Sequence, residues 1–174
     1  SDVYKRQDPD FVKGYPLVPA QRISTTLSKQ LALYVVINSP LQMASDFIEN
    51  YKNHSAIEFI KAVPVSWDTT IVLNGEIENY LTIARKDRQS NDWYIGSITD
   101  QNSRSFQFKL SFLEEGSYQA LIYSDNKKTD LEKKPSLYDF TKKVFTRRDT
   151  LKVNLSSGGG AAIQLKYIGK GMSH

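Results

Sequence analysis

The chain has 174 residues, 40% apolar and 24% charged, which is the composition of a globular protein rather than a disordered or fibrous one. It has no cysteine, so disulfides and thiolate chemistry are excluded, although no compartment is fixed by that. A net charge of +4, from 23 basic and 19 acidic side chains, is too small an excess to argue for nucleic acid. The longest apolar run, residues 31–37, is far shorter than the roughly 20 residues that a membrane helix needs.

In chain order, the first seven residues, SDVYKRQ, join no periodic segment, and the two methionines are Met43 and Met172. A cloning or sequencing remnant on a chain truncated at its left edge is expected. Residues 8–20 read as a loop, rich in proline and glycine and without a period. Leu27, Leu31, Tyr34 and Val35 then recur at helical spacing, with Ser28, Lys29 and Gln30 between them. Ser24 or Thr25 can cap this helix, since their hydroxyls can accept from unpaired backbone N–H groups. Over residues 31–37 it is apolar nearly all round and should be buried on more than one side.

Pro40 cannot continue the helix. Residues 40–44, with Gln42 in the middle and polar Ser45 and Asp46 after them, suit a short buried parallel strand ending in a loop. Residues 55–58, SAIE, form a capping box. Ala56, Ile60 and Val63 share one face of the helix that follows, and Pro64 stops it. Helix, strand and helix with short links are a piece of an α/β layer or barrel.

Around Val65 the pattern changes to alternation, and a domain boundary is expected there. Strands are expected at 71–73, 80–85, 93–99, 106–112, 118–123, 137–145, 150–155 and 161–168, the rhythm of an antiparallel sandwich of about eight strands. Gly96 marks a bulge or a close approach. Residues 125–134 read as a charged loop. The expected fold class is α+β, organised as a leading non-native or loop segment 1–21, a helix–strand–helix unit 22–64, a sandwich 65–170 and a tail 171–174.

Candidate chemistry is sparse. Asp46 lies just past the short strand, where barrel loops touch ligand; it reads equally as a loop carboxylate capping backbone N–H groups. Gln42 could point into a barrel toward substrate, with a satisfied core amide as the stronger reading. His54 and His174 are the only histidines, and neither has acidic residues at metal-ligand spacing. The glutamates at 49, 58, 76, 78, 114, 115 and 132 suggest no tuned acid/base pair. SSGGG at 156–160 lacks the lysine and helix of a phosphate loop and reads as a flexible turn. Trp67, Trp93 and Tyr94 could stack on a sugar, but Trp93 and Tyr94 must face opposite sides of their strand, so at least one is packing. Lys127, Lys128, Lys133 and Lys134 stand among acidic residues and read as a solvated loop.

The stretch TTLSKQLALYVVINSPLQMASDFIENY resembles the late barrel region of glycoside hydrolase family 97, the α-glucosidases and α-galactosidases of gut-type Bacteroidetes. The resemblance continues in unbroken order through EFIKAVPVSWDTT, YLTIARK, DWYIGSITD, SFLEEGSYQALIYSD and GGGAAIQLK. It implies a parent with an N-terminal β-sandwich, a central (β/α)8 catalytic barrel and a C-terminal β-sandwich. This chain would hold the last helix–strand–helix of the barrel, with residues 40–44 as the eighth strand, and the whole C-terminal sandwich. The parent would cleave terminal α-linked glucose or galactose from oligosaccharides, with calcium near the sugar and a periplasmic location.

Some members of the family invert, with glutamates as acid and base; others retain, with an aspartate nucleophile. Inversion needs carboxyls about 6.5–9.5 Å apart and retention about 5–5.5 Å. All of those carboxylates, and the calcium ligands, would lie upstream of Asp8, so this chain is expected to be inactive alone and to bind no calcium itself. Its partners would be the rest of the barrel and, in the parent, the oligosaccharide; no nucleic acid and no membrane span are expected. Without the barrel, residues 31–37 should expose a large apolar patch. Two other readings stand beside this one: a stand-alone carbohydrate-binding sandwich, and a structural or protein-interaction domain.

Overall fold

The computed structural model of the chain describes residues 25–37 and 55–171. Helix α1 spans Leu27–Val36 and helix α2 spans Ser55–Ala62. Eight strands follow: β1 Trp67–Glu76, β2 Tyr80–Asp87, β3 Trp93–Thr99, β4 Arg104–Lys109, β5 Ser117–Asp125, β6 Tyr138–Phe145, β7 Thr150–Leu155 and β8 Gly160–Gly169. The expected strand at 40–44 lies outside the described residues.

All strand pairs among the described residues are antiparallel. Six strands form one sheet in the order β1-β2-β3-β8-β5-β6, and β4 and β7 form a second sheet of two. Side chains alternate across the large sheet. One face of it, with Trp93, Ile95 and Ile163, packs on Phe108, Leu151 and Val153 of the small sheet. The other face, with Tyr94, Tyr123 and Ala162, packs on Leu27, Leu31 and Phe59 of the helices. The layers are therefore helices, six strands and two strands. Strands covered on both faces lose their polar alternation. That is why β8 is buried continuously from Gly160 to Leu165.

Several expectations are corrected here. The cap of α1 is Thr26, whose Oγ1 accepts from Lys29 N–H at 3.2 Å, rather than Ser24 or Thr25. Thr26 N–H donates to Gly158 O and Leu27 N–H to Pro135 O, which fixes the helix start on the sandwich. Ser28, which stands between the apolar positions, is fully buried. Ser55 lies within the first turn of α2 and bonds Tyr138 through its hydroxyl.

The strand expected to run through Phe112 stops at Lys109. Leu110 N–H turns to Asp149 O and Leu113 N–H closes back on Leu110 O. β1 is longer than the expected 71–73. It is an edge strand paired only with β2, so its exposed threonines carry no apolar signal. Asp125 ends β5 instead of opening a loop.

The apolar helix does not expose the patch expected of it. Leu31, Ala32, Tyr34 and Val35 are buried, and Ile37 at the C-terminal end is 43% exposed. The cluster that covers it combines Ala56, Phe59 and Val63 with Tyr94, Tyr123 and Ala162 of the sheet.

Candidate functional site

The most highly built feature is the face of the large sheet that seats the helices. α1 crosses β3 and β8 where both carry glycine. A Cβ on Gly96 would lie 2.5 Å from the carbonyl oxygen of Ala32, and one on Gly160 would lie 2.6 Å from Cα of Lys29. Contacts under about 3 Å are forbidden to real side chains, so the helix backbone can approach these two positions because both are glycine. Gly96 is the close-approach site expected from the sequence.

The start of α1 is fastened by a buried carboxylate. Asp125 Oδ2 accepts from Ser156 N–H at 2.9 Å and from Gly160 N–H at 3.0 Å. The Thr26 hydroxyl and the Lys29 ammonium face the same carboxylate. Burial pushes its pKa above the ordinary carboxylate range, against the pull of those donors and of Lys29. Lys29 Nζ donates to Thr99 O at 2.8 Å. Burial holds the pKa of this ammonium below its usual value, opposed by Asp100 and Asp125. At the other end of α1, Arg85 Nη2 donates to Val36 O at 3.3 Å, and its guanidinium lies 5.8 Å from the Trp67 ring centre. A cation at that end also favours the helix dipole.

α2 is held by aromatics. Phe59 meets Tyr123 edge-on at 5.4 Å and Tyr94 at 6.2 Å between ring centres. Tyr94 donates to Ala62 O at 2.8 Å and accepts from Gln164 Nε2 at 3.2 Å. Tyr123 donates to Ser55 O at 3.0 Å. Burial raises both phenol pKa values, that of Tyr123 to about 12. Asp125, Lys29, Arg85, Tyr94 and Tyr123 each bond backbone of a helix, a turn or a strand end, so the arrangement holds helices in place.

Gln42, Asp46, His54 and His174 lie outside the described residues. SSGGG at 156–160 is the β7–β8 turn, and it is tied down: Gly158 N–H donates to Asp100 O, and Thr99 N–H to Gly159 O. Trp93 packs in the core against Phe112, while Tyr94 serves the helix seat. The basic loop is a set of turns in which Asp130 accepts from the N–H groups of Glu132 and Lys133. Among the described residues, no three His, Cys, Asp or Glu side chains gather as a metal ion would require. No helix among them is long and apolar enough to cross a membrane.

Sequence reasoning missed Asp125, Gly160 and the role of Lys29. A signal existed for Asp125: it shares parity with Leu121 and Tyr123, both of the helix-facing side. None existed for Lys29, whose spacing is that of a solvated residue.

A six-on-two antiparallel sandwich whose second face is shaped for helices is an accessory domain that braces helical structure. Residues 66–166, more than half of the chain, match the family described as glycosyl-hydrolase 97 C-terminal, oligomerisation. The chain belongs to that family. It is similar to a retaining alpha-galactosidase of Bacteroides thetaiotaomicron, 35% identical over 153 residues, which cover 87% of this chain and 22% of that protein. A glycoside hydrolase family 97 enzyme from Pseudoalteromonas sp. strain K8, solved in complex with acarbose, matches with a TM-score of 0.73 and 34% identity over 83% of this chain and 23% of that one. A beta-arabinopyranosidase shares the fold, with a TM-score of 0.61 and 20% identity over 80% of this chain and 21% of that one. The chain thus spans less than a quarter of the length of these relatives.

Proposed function

We propose that this chain is the C-terminal part of a glycosidase that cleaves terminal α-linked glucose or galactose from oligosaccharides. In this reading the sandwich is structural, and α1 and α2 are the last helices of a (β/α)8 catalytic barrel. The observation that carries the reading is the helix seat, where Gly96 and Gly160 admit the α1 backbone and Asp125 fastens its start. A sandwich built to hold helices this closely is a brace. The names of the relatives, one a retaining alpha-galactosidase and one an acarbose-binding enzyme, support the substrate class and keep both sugars in play.

The catalytic carboxylates belong upstream in this reading, which also assigns Gln42 and Asp46 as residues that would contact the sugar. On the family resemblance, the calcium ligands are assigned upstream as well. A periplasmic location completes the proposal on that same resemblance.

The test is extension of the gene upstream and assay of both products on aryl α-glucosides and α-galactosides. The extended enzyme should turn over one of them, and Asp46→Ala in it should raise KM. Turnover by the purified 174-residue chain alone would overturn the assignment of catalysis to the upstream part.

A further inference from the structure

Beside α1 the sheet offers a second hollow. A cavity of about 570 Å3 lies between the first turn of α1 and the β1–β2 hairpin. Leu81, Ile98 and Ile77 give it an apolar lining. Ile98 also packs in the helix-bearing cluster and Lys29 also belongs to α1, so the cavity is continuous with the seat already described.

Ile77 is 91% exposed at the hairpin tip, the most exposed of the large apolar side chains among the described residues. An apolar hollow with a bare isoleucine at its mouth gains about 25 cal/mol for each Å2 that a partner covers.

Charge narrows the partner. Glu76, Glu78 and Asp100 contribute three carboxylates to the lining, against the single ammonium of Lys29. Lys29 is already spent on Thr99 O, and Arg104 pairs with Asp100 at 3.3 Å. Glu76 and Glu78 have no ionic partner among the described residues. A partner carrying lysine or arginine would complement these carboxylates.

We propose that this cavity seats an apolar side chain flanked by lysine or arginine, carried by the catalytic part of the same polypeptide. The inference rests on the reading of the chain as part of a larger glycosidase.

Two substitutions at the exposed rim test it, Ile77→Asp and Glu78→Lys, each made in the 174-residue chain and in the enzyme extended upstream. Both should leave the Tm of the short chain unchanged and lower that of the extended enzyme by about 1 °C. Backbone amides of residues 75–81 should exchange at least about tenfold more slowly in the extended enzyme than in the short chain. Equal Tm values for all forms of the extended enzyme, or equal exchange in the two lengths, would overturn the proposal. A concentration-dependent dimer of the short chain that Ile77→Asp abolishes would assign the cavity to a second copy and overturn it equally. Loss of the parent reading would show separately, as an extended enzyme with no turnover on either aryl glycoside.

Discussion

A β-carbon on Gly159 would stand 1.9 Å from Oδ2 of Asp125. The carboxylate occupies the space that any side chain at 159 would need, and it uses that position to accept from the N–H groups of Ser156 and Gly160. Gly159→Ala should therefore displace Asp125 and cost about 1–3 kcal/mol in urea unfolding, the usual range for overpacking. Gly171→Ala, with nothing within 4 Å of the added carbon, should be neutral in the same measurement.

Removal of the carboxylate leaves two buried donors without an acceptor. Asp125→Ala should cost about 1–3 kcal/mol for each unpaired N–H, and Asp125→Asn, which keeps one acceptor oxygen, should cost less.

The pH dependence has a definite sign. Burial raises the folded-state pKa of Asp125 above its unfolded value. The stability linked to its proton is then fully present below the unfolded pKa and is lost as pH rises through the raised one. Urea unfolding across the acid range should show wild-type stability falling in that window, and Asp125→Asn should flatten the slope. An unchanged slope in the variant would remove Asp125 as its source.

Gly96→Val should lift α1 off the sheet, because the neighbour at 2.5 Å is backbone and cannot swing aside. Amides of α1 should lose hydrogen-exchange protection while those of β4 and β7, on the far side of the sheet, keep it.

Phe59 shields two phenols. In alkaline titration followed by ultraviolet absorbance, Tyr123 should ionise near pH 12 and Tyr94 later still. Phe59→Ala should bring both down toward the ordinary tyrosine value, since desolvation is the main cause of each shift.

The alternative of a sugar-binding sandwich makes a different demand on the tryptophans. Trp93 is 4% exposed, with its ring 4.9 Å from that of Phe112, and Trp67 packs 5.5 Å from the Tyr94 ring. Titration with maltose or galactose should leave tryptophan fluorescence unchanged. A saturable response would favour the binding module.

Much of this was written in local pattern. The alternation of Phe106 and Phe108 with Gln107 and Lys109, the opposition of Trp93 to Tyr94, the break to strand rhythm near Val65 and the close approach at Gly96 are all short-range features, and the family resemblance runs through the same segments. The tight turn at 156–160 was legible as a turn, but its anchoring to Asp100 and Asp125 was not. Likewise Phe59, not included in the expected face of α2, is buried at its centre because Tyr94 and Tyr123 converge on it from two strands.

The sequence by itself determined the periods, the breaks and the family, because these depend on neighbours within a few residues. Only the tertiary structure decided that the greasy helix would be covered by the sheet and α2, that Asp125 would be buried, and that a carboxylate, a lysine and the 156–160 turn would meet at one helix end. Those outcomes depend on which strands lie side by side, and the order β3-β8-β5 joins residues that chain separation keeps apart.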